Sequence, residues 1–284
     1  LSPMLSYRGK LCGDLTVACL DENEFMVFGS GAAQEMHRRW FESHLDKFNL
    51  SYSNRSDEYH GLSIAGPNSR KVLEKIVRDD VSNEKFKFRD SRRMFVGGVP
   101  AIINRISFTG ELGYEIYVAP HYQLKLYEEL MEAGKEFNIK PFGGRALMSM
   151  RLEKNWGAWT LDYRPDFTAK ETGLDAFINW DKEFIGKESA QKENSSNKLV
   201  PLIVETNEID VTNNEAVLNG DQSIGYVTSG GFAHFVNKSV AFTFVDQKNI
   251  KSENKIQVEI NGDLFNCSII KEPLYDPSGQ KMRS

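Results

Sequence analysis

The chain has 284 residues, of which 40% are hydrophobic and 26% are charged, and this composition indicates a globular protein with two or three compact units. Its 35 basic and 40 acidic residues are mixed along the chain and give a net charge of -5, which argues against a general nucleic-acid-binding surface. No apolar run approaches the roughly 18 residues that a membrane-spanning helix needs, so the sequence predicts no membrane partner.

Strands and helices are predicted to alternate along the first half of the chain. Apolar runs at 14–21 and 24–30 indicate a β-hairpin, and an amphipathic helix is predicted over 31–48. The elements predicted after it are strands at 60–66, 99–109 and 113–119 and helices at 67–77, 120–136 and 144–154. A short basic cluster at 89–93 is interpreted as a solvated surface. This order of elements predicts two similar α+β units in tandem.

The composition changes near residue 187. A polar stretch at 187–198, rich in serine and asparagine, indicates a linker. From 199 to 273 only short β runs follow, at even spacing and separated by turn residues, which is typical of a small all-β barrel or sandwich. The α+β part and the β part are therefore expected to be separate domains.

The cysteines and histidines suggest neither a disulfide framework nor a metal site. Cys12, Cys19 and Cys267 are odd in number and lack CxxC spacing, while the five histidines are scattered along the chain. A reducing compartment is the simplest setting, and we expect the cytoplasm or, in a eukaryote, the mitochondrial matrix.

One carboxylate lies inside a predicted strand that would usually carry none. Glu115 is part of GYEIYV, where Tyr114, Ile116 and Val118 form an apolar face. A half-buried carboxylate is unfavourable unless hydrogen-bond donors satisfy it. The commoner explanation is a neighbouring Arg or Lys at a sheet edge. The alternative is a ligand with two parallel N–H donors, such as a pterin, whose ring N–H and amino group match one carboxylate.

Two other charged residues have both a structural and a functional interpretation. Arg151 is surrounded in sequence by apolar residues, so it requires a carboxylate partner, either an internal one such as Glu153 or that of a ligand; the internal pair is commoner. Asp14 follows Gly9 and Gly13 at the start of a predicted strand. It is either a turn residue or a group that holds a proton at an amine.

Seven sequence segments, taken in their order along the chain, form a recognisable set. They are MLSYRGKLCGDLTV (4–17), LSIAGPNSRKVL (62–73), ISFTGELGYEIYV (106–118), MRLEK (150–154), FIGKESA (184–190), IGYVTSGGF (224–232) and KEPLYDPSGQKMR (271–283). Together they resemble the aminomethyltransferase family of the glycine-cleavage T-protein type. Within that family, the forms GKLCGDLTV at 9–17 and EPLYDP at 272–277 favour the folate-binding C-terminal portion of dimethylglycine and sarcosine dehydrogenases.

The resemblance implies a cloverleaf of three domains around a central opening that holds tetrahydrofolate. Its expected fold class is α+β, with tandem ferredoxin-like α+β units followed by a small C-terminal β-barrel domain. The first folate-binding unit is assigned to 1–56 and 138–186, the second unit to 57–137 and the barrel to 187–284. The family's opening segment is missing here, so the first unit is expected to be incomplete at its N-terminus and the chain to be a piece of a longer protein.

The resemblance also implies the site residues. Asp14 matches the catalytic aspartate, Glu115 matches the glutamate that binds the pterin ring, and Arg151 matches the arginine of the RLE motif near the folate. Tyr114 and Trp159 are assigned to folate binding by their positions. The implied activity transfers a one-carbon unit from an amine derived from glycine, sarcosine or dimethylglycine to tetrahydrofolate, giving 5,10-methylenetetrahydrofolate.

The chain departs from the family pattern in two ways that bear on partners and chemistry. Gly13 stands where the T-protein usually has the first residue of an Asp-Asp pair. The flavin-binding half of the dehydrogenase branch is absent, so FAD is expected only if a missing N-terminal domain or a partner chain supplies it. The expected partners are folate, a small amine substrate and a flavin dehydrogenase domain or subunit.

Three other functions remain open. The chain is alternatively a folate-binding module without turnover, as in related iron–sulfur assembly factors, although their KGCYxGQE motif is absent and FIGKESA at 184–190 occupies a comparable region. It is alternatively a free-standing T-protein that takes its aminomethyl group from a lipoyl carrier. Demethylation of a sulfonium or methoxy compound would use the same pocket.

Overall fold

The computed structural model describes residues 1–206, 208–250 and 255–284, which fall into two units. The boundaries of the units do not follow the chain order, because each unit takes up several separate segments. Unit 1 consists of Leu1–Val17, Val27–Ser43 and Met148–Tyr275, and unit 2 consists of Ala18–Met26, His44–Leu147 and Asp276–Ser284. The three-domain division expected from the sequence remains a prediction.

A three-stranded sheet opens the chain. Its strands are β1 (Ser2–Leu5), β2 (Leu11–Asp21) and β3 (Glu24–Phe28), in that order across the sheet. The predicted hairpin is confirmed as β2 and β3, whereas β1 was not predicted; it pairs antiparallel with β2, and Pro3 lies opposite Asp14. The helix predicted over 31–48 is shorter in the structure, where α1 spans Gln34–Glu42 and single 3₁₀ turns lie on either side of it.

Two short helices contribute to the core of unit 1. After α4 (Gly144–Glu153) come α5 (Ala169–Thr172) and α6 (Lys187–Lys192), and each buries an alanine in a core with Leu5 and Leu11. A capping box begins α5, since Thr168 Oγ1 accepts from the Glu171 amide while the Glu171 carboxylate accepts from the Thr168 amide. The predicted linker at 187–198 is wrong in its first half, because α6 buries Ala190 in a core with Leu5 and Leu11.

A four-stranded antiparallel sheet organises unit 2. Its strands are β4 (His60–Ala65), β5 (Ser91–Val96), β6 (Val99–Asn104) and β7 (Gly113–Val118), and their order across the sheet is β4-β7-β6-β5. Helices α2 (Ser69–Glu74) and α3 (Gln123–Gly134) contribute to the core on one face of this sheet. The interpretation of 89–93 as a solvated surface missed β5, an edge strand whose Met94 and Val96 face that core.

The C-terminal half of unit 1 contains a closed barrel. Among the described residues it has six strands, in the order β10-β11-β8-β13-β12-β9, and this confirms the barrel that the sequence predicted. The strands are β8 (Asn197–Val204), β9 (Ala216–Asn219), β10 (Gln222–Ala233), β11 (Lys238–Asp246), β12 (Ile256–Ile260) and β13 (Asp263–Ile269). A final helix, α7 (Gln280–Arg283), belongs to unit 2. No helix in the described ranges combines the length and apolar character needed to cross a bilayer.

Candidate functional site

Glu115 lies on the face of the unit 2 sheet opposite its core. Strand side chains alternate between the two faces, and the structure confirms the predicted apolar face because Tyr114, Ile116 and Val118 are all fully buried. Glu115 therefore leaves β7 on the other face, where Ser63 of β4 and Asn104 of β6 are its direct neighbours in register.

The Glu115 carboxylate has a hydroxyl partner and no cationic one. The Tyr117 hydroxyl, two residues along the same face, donates to Oε2 of Glu115 at 2.7 Å. Burial raises the pKa of Glu115, and the hydrogen bond from Tyr117 opposes that rise. No Arg or Lys pairs with Glu115 within the parts of the chain that the structure describes, so the neighbouring cation that the sequence favoured is not found. The carboxylate consequently retains the capacity to accept two more hydrogen bonds.

Asn104 is a buried neighbour of Glu115 that the sequence analysis did not identify. The residue is 3% exposed, and its Oδ1 accepts a hydrogen bond from the Ser91 hydroxyl at 2.6 Å. Its Nδ2 is shielded from solvent and has no hydrogen-bond partner among the described residues. A donor without an acceptor therefore lies on the strand next to Glu115.

Tyr114, assigned to folate binding from the sequence, lies in the core of unit 2. Its ring stacks on Phe86 with 5.8 Å between centroids and an interplanar angle of 27°. Because adjacent residues of a strand point to opposite faces, its side chain is directed away from that of Glu115. The structure thus gives Tyr114 a packing role, and Tyr117 is the aromatic residue that contacts Glu115.

Asp14, in unit 1, is a half-buried carboxylic acid on β2. Burial raises its pKa from the usual value of 3.8 to about 6, and a hydrogen bond from its own backbone amide opposes that rise. No cation pairs with it across residues 1–206, 208–250 and 255–284. The negative charge of Asp14 also contributes to the raised pKa of Tyr163. An acid with a pKa close to neutral is suited to accepting or holding a proton.

Gly13, the departure from the family's Asp-Asp pair, makes room for a histidine. A Cβ at Gly13 would lie 3.1 Å from Nε2 of His37 and 3.1 Å from Cε of Met4. His37 is 5% exposed, and its Nε2 donates to the Cys12 carbonyl at 3.0 Å. Burial lowers the pKa of His37, so the ring is a neutral packing group in the space that a side chain at position 13 would need.

Trp159 packs on this histidine. Its ring centroid lies 5.9 Å from that of His37, and its indole is a partly buried neighbour of the core that contains Leu5, Leu11 and Tyr163. A short parallel bridge also joins Trp159 to Tyr163. The structure therefore places Trp159 against His37, which hydrogen-bonds the backbone of β2 two residues before Asp14. Its contact with folate remains a prediction.

Arg151 is held in a fully internal network of unit 1. Its Nη1 donates to Oδ2 of Asp162 at 2.8 Å and to the Trp156 carbonyl at 2.9 Å, and its Nη2 donates to the Ser229 hydroxyl at 2.7 Å. Arg151 and Asp162 have side-chain exposures of 1% and 0%. The expected internal carboxylate partner is confirmed, but it is Asp162 and not Glu153.

Asp162 joins that network to the barrel and was not predicted. Its Oδ1 accepts from the Thr228 hydroxyl at 2.5 Å, and its Oδ2 accepts from the Ser229 hydroxyl at 2.8 Å and from the Ala158 amide at 3.0 Å. Because Thr228 and Ser229 belong to β10, the ion pair fixes the loop after α4 against a barrel strand. Direct contact of Arg151 with folate remains a prediction, since its two terminal nitrogens already have partners.

Two family models match the chain. The model described as the GCVT N-terminal domain matches residues 1–182, and the model of the glycine cleavage T-protein C-terminal barrel domain matches residues 197–276. The chain belongs to the glycine-cleavage T-protein family. The family resemblance stated from the sequence is thereby confirmed, and the second model coincides with most of the observed barrel.

Relatives in the family include both long and short proteins. The mitochondrial dimethylglycine dehydrogenase of Homo sapiens is 34% identical over 282 residues, which cover 96% of this chain and 32% of that protein, and the Mus musculus enzyme gives the same values. The aminomethyltransferase of Thermoanaerobacter sp. (strain X514) is 30% identical over 283 residues, covering 98% of this chain and 76% of the relative. The chain thus spans about a third of the length of these dehydrogenases.

A solved structure confirms the fold class. The crystal structure of glycine cleavage system aminomethyltransferase T from Bartonella henselae superposes with a TM-score of 0.84 at 22% identity, over 97% of this chain and 75% of that one. At this level of identity the likeness establishes the fold alone. The α+β architecture with a C-terminal barrel is therefore that of a T-protein.

Proposed function

We propose that this chain is the folate-dependent part of a one-carbon-transferring enzyme. It would move a one-carbon unit from a glycine-, sarcosine- or dimethylglycine-derived amine to tetrahydrofolate, giving 5,10-methylenetetrahydrofolate. The observation that carries the proposal is the Glu115 carboxylate, which is buried enough to have a raised pKa and yet lacks a cationic partner among the described residues. Such a group is best explained by a ligand that brings the missing donors.

Glu115 is suited to the pterin ring. The ring N–H and the adjacent amino group are parallel donors, and one ionised carboxylate accepts from both. Tyr117, whose raised pKa keeps its hydroxyl protonated, holds Oε2 of Glu115 and orients the carboxylate. The donor set thus fits a pterin: a carboxylate that needs donors, with an amide donor beside it on Asn104.

Asp14 is proposed as the catalytic residue. Bound tetrahydrofolate would supply a nitrogen nucleophile that accepts the one-carbon unit. The ionised Asp14 carboxylate stabilises positive charge that develops on the transferred group, and it can hold the proton of the departing amine. Because its pKa is about 6, the fraction of ionised Asp14 and therefore the transfer rate should rise as the pH passes that value.

The other assigned residues take supporting roles in this proposal. Arg151 acts through Asp162, which it pairs with while Ser229 of β10 donates to the same carboxylate, and Trp159 packs on the histidine behind Gly13. Tyr114 serves the core of unit 2 and is not proposed as a contact to folate. The expected division into 1–56 with 138–186, 57–137 and 187–284 remains part of the proposal, as does the compartment, cytoplasm or mitochondrial matrix.

A flavin dehydrogenase domain or subunit is the proposed source of the one-carbon donor. Two relatives named dimethylglycine dehydrogenase are about three times as long as the matched region, so they contain a further part that this chain does not match. In that arrangement the flavin part oxidises the methylated amine and this chain transfers the carbon. FAD would belong to that other part.

Calorimetric titration with tetrahydrofolate tests the pterin assignment. We expect the purified chain to bind tetrahydrofolate and Glu115→Ala to bind it at least tenfold more weakly, since a hydrogen-bonded charged group is lost. Glu128→Ala is the matched control, because Glu128 is an exposed glutamate on α3. Equal affinities of the wild type and Glu115→Ala would reject the assignment.

Turnover tests the role of Asp14. We expect Asp14→Ala to reduce formation of methylenetetrahydrofolate by a factor of about 10²–10⁴, the range typical of a lost acid–base group, while it binds folate nearly as well as the wild type. Unchanged turnover would contradict the catalytic assignment.

A free-standing T-protein is the second candidate. Bacterial relatives named aminomethyltransferase match this chain over 76% of their length, which is more than the 32% of the dehydrogenases. The donor distinguishes the two candidates. A T-protein would use an aminomethylated lipoyl carrier, whereas the dehydrogenase module would use the oxidised product of sarcosine or dimethylglycine.

A further inference from the structure

A row of polar side chains crosses the sheet of unit 2 on the face opposite its core. Register pairs Ser63 with Glu115, Glu115 with Asn104, and Asn104 with Ser91, so the four residues follow one another from β4 through β7 and β6 to β5. Within this row only Asn104 has a buried polar atom that lacks a partner among the described residues, its Nδ2. The Ser91 hydroxyl already bonds the other end of that amide, Oδ1.

An unpaired buried amide nitrogen requires an explanation. Buried donors in folded proteins are almost always paired, because an unsatisfied one loses its hydrogen bonds to water and gains nothing in return. Asn104 is only 3% exposed and its Nδ2 is shielded from solvent, so bulk water does not satisfy this nitrogen. An acceptor that arrives with a ligand would remove this cost at the moment of binding.

The position of Asn104 beside Glu115 indicates which ligand atom that acceptor is. Directly opposed residues of antiparallel strands have Cβ atoms about 4.5–5.5 Å apart, so the amide and the carboxylate lie side by side. One edge of a pterin presents the 4-oxo oxygen, the ring N–H and the 2-amino group in sequence. If the Glu115 carboxylate accepts from the ring N–H and the 2-amino group, the 4-oxo oxygen lies next to them and can accept from the neighbouring Nδ2 of Asn104.

We propose that Asn104 is a pterin-binding residue whose Nδ2 donates to the 4-oxo group of the ring held by Glu115. This inference rests on the proposed function, since it assumes a pterin at Glu115. It makes Asn104 a specificity residue that favours 4-oxo pterins over 4-amino ones. Because Nδ2 is shielded from solvent, this binding mode includes a rotation of the Asn104 or Glu115 side chain.

The test measures, by calorimetric titration, the affinity of two Asn104 variants for each of two ligands, tetrahydrofolate and its 4-amino analogue. Asn104→Ala should bind tetrahydrofolate about tenfold more weakly, as expected for one lost hydrogen bond, and bind the 4-amino analogue within about twofold of the wild type. Asn104→Asp retains an acceptor for Ser91 but places an oxygen against the 4-oxo group. It should lose more affinity for tetrahydrofolate than Asn104→Ala and should gain relative preference for the analogue. Ser63→Ala, on the other side of Glu115, is the matched control and should change neither affinity by more than about twofold.

The outcomes separate this inference from the proposed function. If the wild type binds tetrahydrofolate, Glu115→Ala does not, and both Asn104 variants bind like the wild type, the role of Asn104 is overturned and that of Glu115 stands. Equal losses for both ligands in both variants also overturn it, because they indicate a general change of structure. If the wild type does not bind tetrahydrofolate, the proposed function and this inference are overturned together.

Discussion

Two regions of the molecule bury charge in opposite ways. In unit 1 the Arg151 guanidinium and the Asp162 carboxylate face each other, and the hydroxyls of Thr228 and Ser229 complete the coordination of Asp162. In unit 2 the Glu115 carboxylate has one hydroxyl donor from Tyr117, and the amide of Asn104 beside it has no acceptor among the described residues. The Arg151 guanidinium and the Asp162 carboxylate thus neutralise each other, although the buried Nε of Arg151 has no partner among the described residues, whereas Glu115 has no counter-charge among them.

The difference separates structural charges from functional ones. Arg151 and Glu115 both stand out in the sequence as charges among apolar neighbours, and both match family motifs. A buried charge that faces an internal counter-charge needs no ligand to neutralise it. A charge that lacks one remains costly until a ligand arrives, so Glu115 is the stronger candidate for a binding residue.

The largest expected effect is the loss of stability when the Arg151–Asp162 ion pair of unit 1 is broken. Asp162→Ala leaves Arg151 buried without its carboxylate, and we expect a loss of about 3–5 kcal/mol in the free energy of unfolding, the usual cost of removing one partner of a buried ion pair. Urea denaturation followed by tryptophan fluorescence measures it. Asp166→Ala is the control, because Asp166 is 68% exposed and pairs with Arg164 at the surface; it should change the stability by less than about 1 kcal/mol. If Asp162→Ala and Asp166→Ala both change the free energy of unfolding by less than about 1 kcal/mol, the Arg151–Asp162 pair is not the structural charge pair described above.

The next largest effect is on ligand binding at Glu115 in unit 2, and it tests whether that charge is functional and not structural. Glu115→Gln retains the shape of the side chain but removes its charge, and we expect tetrahydrofolate affinity to fall about 10–100-fold. The free energy of unfolding should stay within about 0.5 kcal/mol of the wild type or rise, since no cation loses its partner and a half-buried charge is removed. A destabilisation comparable to that of Asp162→Ala would show that Glu115 has a structural partner after all.

Local patterns allowed much of the architecture to be predicted. Tyr114, Ile116 and Val118 alternate with polar residues, so the strand and its buried face were evident from the sequence, and Glu115 stood out against them. Edge strand β5 was missed because Arg92 and Arg93 dominate a segment whose inward residues, Met94 and Val96, begin only afterwards. Charged residues on an edge strand protect it from pairing with other chains, and the same residues hide it from pattern analysis.

The partners of the candidate residues were less accessible to prediction because they depend on pairing between distant segments. Arg151 meets Ser229 across 78 residues, and nothing near either residue in sequence indicates that contact. Asn104 becomes a neighbour of Glu115 only through the register of β6 with β7. Tyr117 is the exception, since its position two residues after Glu115 on a predicted strand would have placed both on one face.

A smaller effect concerns the pH dependence of stability at Asp14. Burial raises the pKa of Asp14 from 3.8 to about 6, so between these values the folded chain retains a proton that the unfolded chain has lost. The folded state then binds more protons, and stability falls as the pH rises through this window and is constant above it. We expect the wild type to lose about 1–2 kcal/mol relative to Asp14→Asn between pH 4 and pH 7, after allowance for partial exposure of the carboxyl. A difference between the two proteins that does not vary with pH would argue against a buried acid.

The smallest expected effect is on stability at Gly13, where His37 packs against the backbone of β2. This packing determines whether a side chain, such as the first aspartate of the T-protein pair, fits at position 13. Gly13→Ala places a Cβ 3.1 Å from Nε2 of His37 and 3.1 Å from Cε of Met4, so these side chains must shift. We expect a loss of about 1 kcal/mol in the free energy of unfolding, at the lower end of the usual cost of overpacking. Gly31→Ala is the matched control, because a Cβ there meets nothing within 4 Å and should be neutral. Gly13→Ala should cost little in a His37→Ala background. If it costs as much there as in the wild type, the histidine is not what excludes a side chain at this position.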